Sequence, residues 1–187
     1  MNQDIKKALD VLRSGGVILY PTDTIWGLGC DAENEEAVKR IYEIKKRTDA
    51  KSMLVLIDMP GRLEMYVHDI PEMAWNLVEQ ATKPLTIIYP KGKNLAPNLL
   101  AKDGSVGIRL VDEFFCNRLI GRFQKPIVST SANISGEKSP EIFSDIKQEI
   151  IDAVDYVVDY RQDDTETTEA SSIIKLGNGG LFEIIRE

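Results

Sequence analysis

Ile5, Ala8, Leu9 and Leu12 recur at helical spacing, and Gly15-Gly16 supplies a stop before the apolar run Val17-Ile18-Leu19-Tyr20. The chain is therefore predicted to open helix, then strand. A loop containing Gly27 and Gly29 follows, after which Asn34 is placed to cap a helix whose apolar side carries Ala37, Val38, Ile41 and Tyr42. Residues 53–57 read as a buried strand, and Met73, Trp75, Leu77 and Val78 as one side of a helix. Strands are expected at 85–89 and 106–111, a helix from Asp112 to about Arg122, and a buried strand at 126–129. Ser139-Pro140 has the form of a helix start, a cap followed by proline at the first helical position. Strands at 156–160, 172–176 and 182–186 close the pattern, the last two joined through 177–180. The acidic, threonine-rich segment 162–169 reads as a mobile loop rather than a linker.

This alternation predicts an α/β protein with a mixed sheet. Its 187 residues suit one well-filled domain, residues 1–187, and no internal repeat divides them. Apolar residues make up 43% and charged residues 28%, which excludes a disordered or fibrous chain. The polar start Asn2-Gln3-Asp4 fits no signal peptide, and no apolar stretch approaches the roughly 20 residues that cross a bilayer. A soluble, cytoplasmic protein is expected, with no membrane association. Cys30 and Cys116 lack any paired spacing and are expected to be free thiols. His68 is the only histidine, so one chain cannot supply a histidine dyad or a histidine-rich metal site, and a surface position is expected for it. The formal charge of −7 opposes general binding of nucleic-acid backbones, unless a local basic cluster overrides it.

Three segments could carry chemistry. Pro21-Thr22-Asp23-Thr24-Ile25-Trp26-Gly27-Leu28-Gly29 leaves a buried strand in front of a helix, where α/β proteins place ligands. The Thr22 and Thr24 hydroxyls suit a polar ligand, but an ordinary turn with Trp26 in the core explains the same residues. The segment is neither a dinucleotide fingerprint nor a P-loop, since no Gly-Lys-Ser/Thr occurs in the chain. Lys45-Lys46-Arg47 with Lys51 ends the helix that Asn34 begins. Such cations complement a helix dipole, yet Arg47 also has the fork that grips a phosphate or carboxylate, and Lys45 adds a point charge. In Ser129-Thr130-Ser131-Ala132-Asn133-Ile134-Ser135-Gly136, alternation puts Ser129, Ser131 and Asn133 on one face at a strand end, a ligand platform more than a turn.

These segments, with Pro84-Leu85-Thr86 and Arg109 between them, resemble the YrdC/Sua5 family in order and spacing over nearly the whole chain. The resemblance implies a single-domain, YrdC/RibB-like fold: a twisted mixed sheet with helices around a concave ligand cavity. It implies Lys45, Arg47, Ser131 and Asn133 as the active-site tetrad. Thr24 and Thr86 would line the pocket with Thr22 and Ser129 as substrate-binding candidates, Arg109 would hold an anionic group, and Ser172 would match a family Ser-Thr before a late strand. The short form of the family is the one resembled. Differences from the family pattern fall at Trp26, Thr48, residues 51–53, residues 81–83, and Leu110-Val111.

The implied activity is a nucleotidyltransfer. Threonine's amine captures bicarbonate or CO2 as a carbamate, which attacks the α-phosphorus of ATP and releases pyrophosphate, giving threonylcarbamoyl-AMP for the threonylcarbamoyladenosine (t6A) modification of tRNA. Lys45 and Arg47 would offset the charge, Ser131 and Asn133 would orient phosphate or carbamate oxygens, and magnesium would arrive on the triphosphate. Downstream t6A-transferase proteins and a weak tRNA contact are the expected partners. Two other readings stay open at this point: a non-catalytic RNA-binding or assembly module, and a paralogue using another carbamoyl donor. Pyrophosphate release with all three substrates excludes the first, and comparison of donors separates the second.

Overall fold

The computed structural model describes residues 1–47, 53–177 and 181–187. Six helices and nine strands are found among them: α1 (Asn2–Arg13), β1 (Ile18–Tyr20), β2 (Gly27–Gly29), α2 (Glu35–Ile44), β3 (Leu54–Ile57), α3 (Leu63–Tyr66), α4 (Glu72–Gln80), β4 (Leu85–Tyr89), β5 (Val106–Leu110), α5 (Phe114–Phe123), β6 (Ile127–Ser131), α6 (Gln148–Ile151), β7 (Tyr156–Val157), β8 (Ser172–Leu176) and β9 (Phe182–Arg186). The strands form one mixed sheet in the order β7-β1-β2-β6-β3-β5-β4-β8-β9. Three pairs are parallel (β1 with β7, β3 with β5, β4 with β8), and the other five are antiparallel.

Helices α2 and α5 form where a side-chain cap and an apolar stripe coincide. Asn34 caps α2 by accepting from the Ala37 amide at 3.1 Å, and Glu113 caps α5 by accepting from the Cys116 amide at 2.8 Å. The apolar stripes of α1 (Ile5, Leu9, Leu12) and α5 (Phe115, Leu119, Ile120) pack together on Ile18, Tyr20, Leu56 and Ile127. A larger core on the other side joins α2, α3 and α4 to Val55, Ile57, Ile87, Tyr89, Ile108 and Val128.

Strand alternation then decides the site. Register sets Leu56 beside Arg109, Arg109 beside Thr86, and Leu54 beside Ser129. These residues share the face that α1 and α5 cover only at its Leu56 and Ile127 end. The uncovered remainder is a concave floor.

Several expectations need correction. Gly27 and Gly29 lie in strand β2, not in a loop, because a side chain there has no room: a Cβ on Gly29 would lie 2.5 Å from Tyr20 Cε1. No helix begins at Ser139-Pro140; a 3₁₀ turn, Phe143–Asp145, and short α6 follow instead. The Asp145 carboxylate accepts from the Glu141 and Ile142 amides, so the helical signal acts three residues later. The strand expected at 156–160 is ordered as a ladder only over Tyr156–Val157. Helix α5 starts two residues after Asp112, behind its Glu113 cap. The connection through 177–180 and the family differences at Thr48, Lys51 and Ser52 fall largely outside the described residues. His68 is exposed, and Cys30 and Cys116 are buried free thiols, as the sequence indicated.

Candidate active site

The turn between β1 and β2 is built by its threonines. Thr22 Oγ1 accepts from the Thr24 amide at 3.1 Å, donates to the Ile25 carbonyl at 2.9 Å, and lies 2.9 Å from Thr24 Oγ1. These bonds hold the turn so that Thr24 faces Arg109, whose Nη2 donates to Thr24 Oγ1 at 3.2 Å. Arg109 Nη1 pairs with the Asp23 carboxylate, the arginine buried and the aspartate nearly so. Arg109 therefore already holds an anion, one belonging to the chain itself, and adds little uncompensated charge to the cavity beside it.

Lys45 is the C-cap of α2, as the sequence indicated, but it does not lie along the surface as a dipole complement. It is 3% exposed, and its Nζ donates to the Ser131 carbonyl at 2.5 Å and the Asn133 carbonyl at 2.7 Å. Burial, and then the nearby Arg47 cation, bring its ammonium down to about 8. Lys46 takes a left-handed conformation (φ 49°) and points away to pair with Glu149 at 2.7 Å. That reversal returns Arg47 to the cavity side, half-buried, with no hydrogen bond or ion pair from its guanidinium among the described residues.

At the end of β6, Ser129 and Ser131 point into the cavity as alternation requires. Asn133 also lines it, but its Nδ2 donates to the Ile134 and Glu137 carbonyls at 3.0 and 2.8 Å. The amide thus braces the loop that supplies both acceptors to Lys45. A further backbone bond, Ser135 N to the Lys45 carbonyl at 3.0 Å, ties this loop to α2.

The far wall is Thr86, whose hydroxyl lies 2.8 Å from Ser171 Oγ, and Arg186, whose Nε and Nη2 donate to the Ser171 carbonyl at 2.8 and 2.5 Å. Trp26, its ring tilted 52° to that of Phe143 with centroids 4.8 Å apart, forms a side wall. The cavity, open on one side, measures about 310 Å³. Lys45, Arg47, Arg109 and Arg186 line it, and among the described residues no carboxylate does.

Of the residues singled out from the sequence, Thr24, Lys45, Arg47, Thr86, Arg109, Ser129, Ser131 and Asn133 line one cavity. Thr22 and Ser172 do not. Thr22 lies behind Thr24 and shapes the turn. Ser172 pairs with Leu85 on the opposite face of the sheet, so Ser171 and Ile173 face the cavity instead. Ser171 and Arg186 were missed. Alternation back from Ile173 could have found Ser171, and an arginine at the end of an apolar strand was the available signal for Arg186. The segment 162–169 forms no helix or strand, and Thr168 Oγ1 donates to the Thr24 carbonyl, so the segment touches the back of the same turn.

The Sua5/YciO/YrdC family model, described as telomere recombination, matches residues 10–187. The chain belongs to this family. A threonylcarbamoyl-AMP synthase of Pseudoalteromonas translucida is 33% identical over 95% of the chain and 96% of that protein. A putative threonylcarbamoyl-AMP synthase of Methanocaldococcus jannaschii is 32% identical over 97% of the chain and 86% of its own length. The crystal structure of Pyrococcus abyssi Sua5 complexed with L-threonine superposes with a TM-score of 0.79 at 29% identity, covering 92% of this chain and 50% of that one. The chain thus spans half the length of the Pyrococcus protein. No helix among the described residues is long and apolar enough to cross a membrane.

Proposed function

We propose that this family member is a threonylcarbamoyl-AMP synthase, forming L-threonylcarbamoyladenylate and pyrophosphate from L-threonine, bicarbonate or CO2, and ATP. The observation that carries the reading is the convergence of Lys45, Arg47 and Arg186 on a cavity with no lining carboxylate among the described residues, in a chain whose relatives, matched over most of their length, bear that enzyme name. Joining a carbamate to a triphosphate brings two anions together, and fixed cations and donors are what such a step requires. Lys45 and Arg47 hold the reacting phosphates, while the Ser129, Ser131 and Thr86 hydroxyls orient oxygens around them. Thr24 and Ser171 shape the subsite beside Arg109. Magnesium fits this donor set only as part of the substrate: among the described residues no group of three His, Cys, Asp or Glu side chains is placed to hold a metal. Its contribution on the triphosphate is charge neutralisation.

The product serves the t6A modification of tRNA, handed to a t6A-transferase, in the cytoplasm where ATP and tRNA are found. Residues 1–187 act in this as one YrdC-like domain, the sheet running from β7 at one edge to β9 at the other. The test is pyrophosphate release coupled to mass spectrometry of the product, omitting one substrate at a time. Release is expected only with threonine and bicarbonate both present. Serine, which lacks the methyl, should be poorer by about 1 to 3 kcal/mol in kcat/KM. Equal pyrophosphate release without threonine overturns the proposal, and release driven by carbamoyl phosphate would favour the other carbamoyl donor.

A further inference from the structure

The proposed reaction has a proton to place before any phosphorus chemistry starts. Threonine arrives as an ammonium ion with no lone pair, so a base must free its amine before it can attack CO2. The described cavity lining contains serines, threonines, one asparagine, apolar residues and four cations, and no carboxylate, histidine, cysteine or tyrosine. Of the four cations, arginine does not release its proton in proteins. Lys45 remains.

On that reading of the site, we infer that Lys45 in its neutral form is the proton acceptor for threonine's ammonium, and that the ammonium thereby created then holds the triphosphate. The geometry suits both forms. A neutral amine has two N–H bonds, and Nζ has two acceptors, the Ser131 and Asn133 carbonyls at 2.5 and 2.7 Å. One tetrahedral position is left on a nitrogen that lines the cavity: a lone pair in the amine, a third N–H in the ammonium. Both carbonyls belong to the loop that Asn133 Nδ2 and Ser135 N brace, so the nitrogen stays fixed as its charge changes.

The electrostatics agree. Burial and the Arg47 guanidinium lower the Lys45 ammonium to about 8, within reach of neutral pH. Arg186 lines the same cavity, while Arg109 there is already paired with Asp23. Two carboxylates on segments near Lys45 are engaged elsewhere, Glu137 by Lys147 at 2.6 Å and Glu149 by Lys46 at 2.7 Å. The step balances. Lys45 takes one proton from threonine's nitrogen, and the freed lone pair forms the C–N bond as one C=O pair of CO2 moves onto oxygen. The second nitrogen proton leaves to water. The carbamate oxygen then bonds to the α-phosphorus as the bond to the pyrophosphate oxygen breaks. Incoming phosphates favour the ammonium, so the proton is retained when it is needed.

Forward synthesis needs the base, whereas making ATP from supplied threonylcarbamoyl-AMP and pyrophosphate needs only the cation. Lys45→Arg keeps a charge and cannot accept a proton; Lys45→Gln keeps donors for the two carbonyls and cannot accept one either. For Lys45→Arg we expect both directions to slow, because a phosphate-holding group is replaced, and forward synthesis at pH 7 to fall about a hundredfold further than the reverse reaction, as for loss of a general base. Raising pH and bicarbonate, so that carbamate forms in solution, should restore the forward rate. In the wild type, kcat/KM for threonine should rise through a midpoint near 8 that is absent from the reverse reaction and moves to threonine's own amine titration in either variant. Equal loss in both directions, or an unmoved midpoint, overturns the base role. If the wild type neither makes nor consumes threonylcarbamoyl-AMP, the functional reading itself fails, a different outcome from either.

Discussion

A helix end explains where Lys45 and Arg47 occur, but not where their side chains go. Cations that only complement a dipole remain in water, whereas Lys45 is buried beneath the 131–133 segment and Arg47 turns back into the cavity behind a left-handed Lys46. Arg47→Lys separates the two roles, because it keeps the charge and loses the planar fork. Pyrophosphate release should fall about a hundredfold or more, as when a preorganised donor is removed, with the thermal melting midpoint unchanged. Near wild-type turnover would show that Arg47 makes no two-point grip. At this scale the sequence was readable where alternation alone decides orientation, as for Ser129 and Ser131. It failed where a tertiary partner decides. Nothing local shows that Asp23 neutralises Arg109, or that Asn133 directs both amide hydrogens to carbonyls of its own loop. The slip from Ser171 to Ser172 is smaller in origin: one residue along a strand exchanges the two faces.

Element types were legible wherever apolar periodicity was strong, so that β4, β8 and β9 match their expected limits and α1 and α2 lie where their apolar spacing put them. Gly27-Leu28-Gly29 misled because glycine is depleted in strands, and its use here is for contact rather than for conformation. Strand β2 is pressed between β1 and β6, and Gly27 has Ser129 Oγ and the Thr130 carbonyl each 3.2 Å from where a Cβ would sit. At Gly29 the obstacle is the Tyr20 ring, fully buried and held by its hydroxyl to the Val128 carbonyl at 3.2 Å, with Ile127 Cγ2 and the Val128 carbonyl at 3.0 Å. A ring fixed at both ends cannot swing aside. Gly29→Ala should therefore destabilise by about 1 to 3 kcal/mol, read as a fall of roughly 2 to 12 °C in the melting midpoint. Gly61→Ala is the control, since no atom lies within 4 Å of its added methyl, and it should change stability by no more than about 0.5 kcal/mol. Equal effects of the two substitutions would remove the packing explanation for the glycines of β2.

The molecule as a whole is acidic, with a formal charge of −7, while its cavity is lined by four cations and, among the described residues, no carboxylate. This separation treats small and large polyanions differently. A nucleotide can enter the concave floor, where low-dielectric walls strengthen the field of Lys45, Arg47 and Arg186. A tRNA backbone must approach the outer surface, where several basic side chains are already paired: Lys46 with Glu149, Lys125 with Asp31 and Glu33, Lys138 with Glu141, Lys147 with Glu137. A paired lysine has little to gain by displacing its carboxylate for a phosphate, and few condensed counterions are released when it does. Binding of tRNA should therefore be no tighter than the roughly 10⁻⁴ to 10⁻⁶ M of non-specific association at physiological salt, and should weaken further as salt rises. A mobility-shift or filter-binding titration between low and physiological ionic strength measures both quantities. ATP should compete only with the part of the binding that enters the cavity. Tight binding that persists at physiological salt and is indifferent to ATP would place an RNA surface outside the cavity, and would favour the binding-module reading over the enzymatic one.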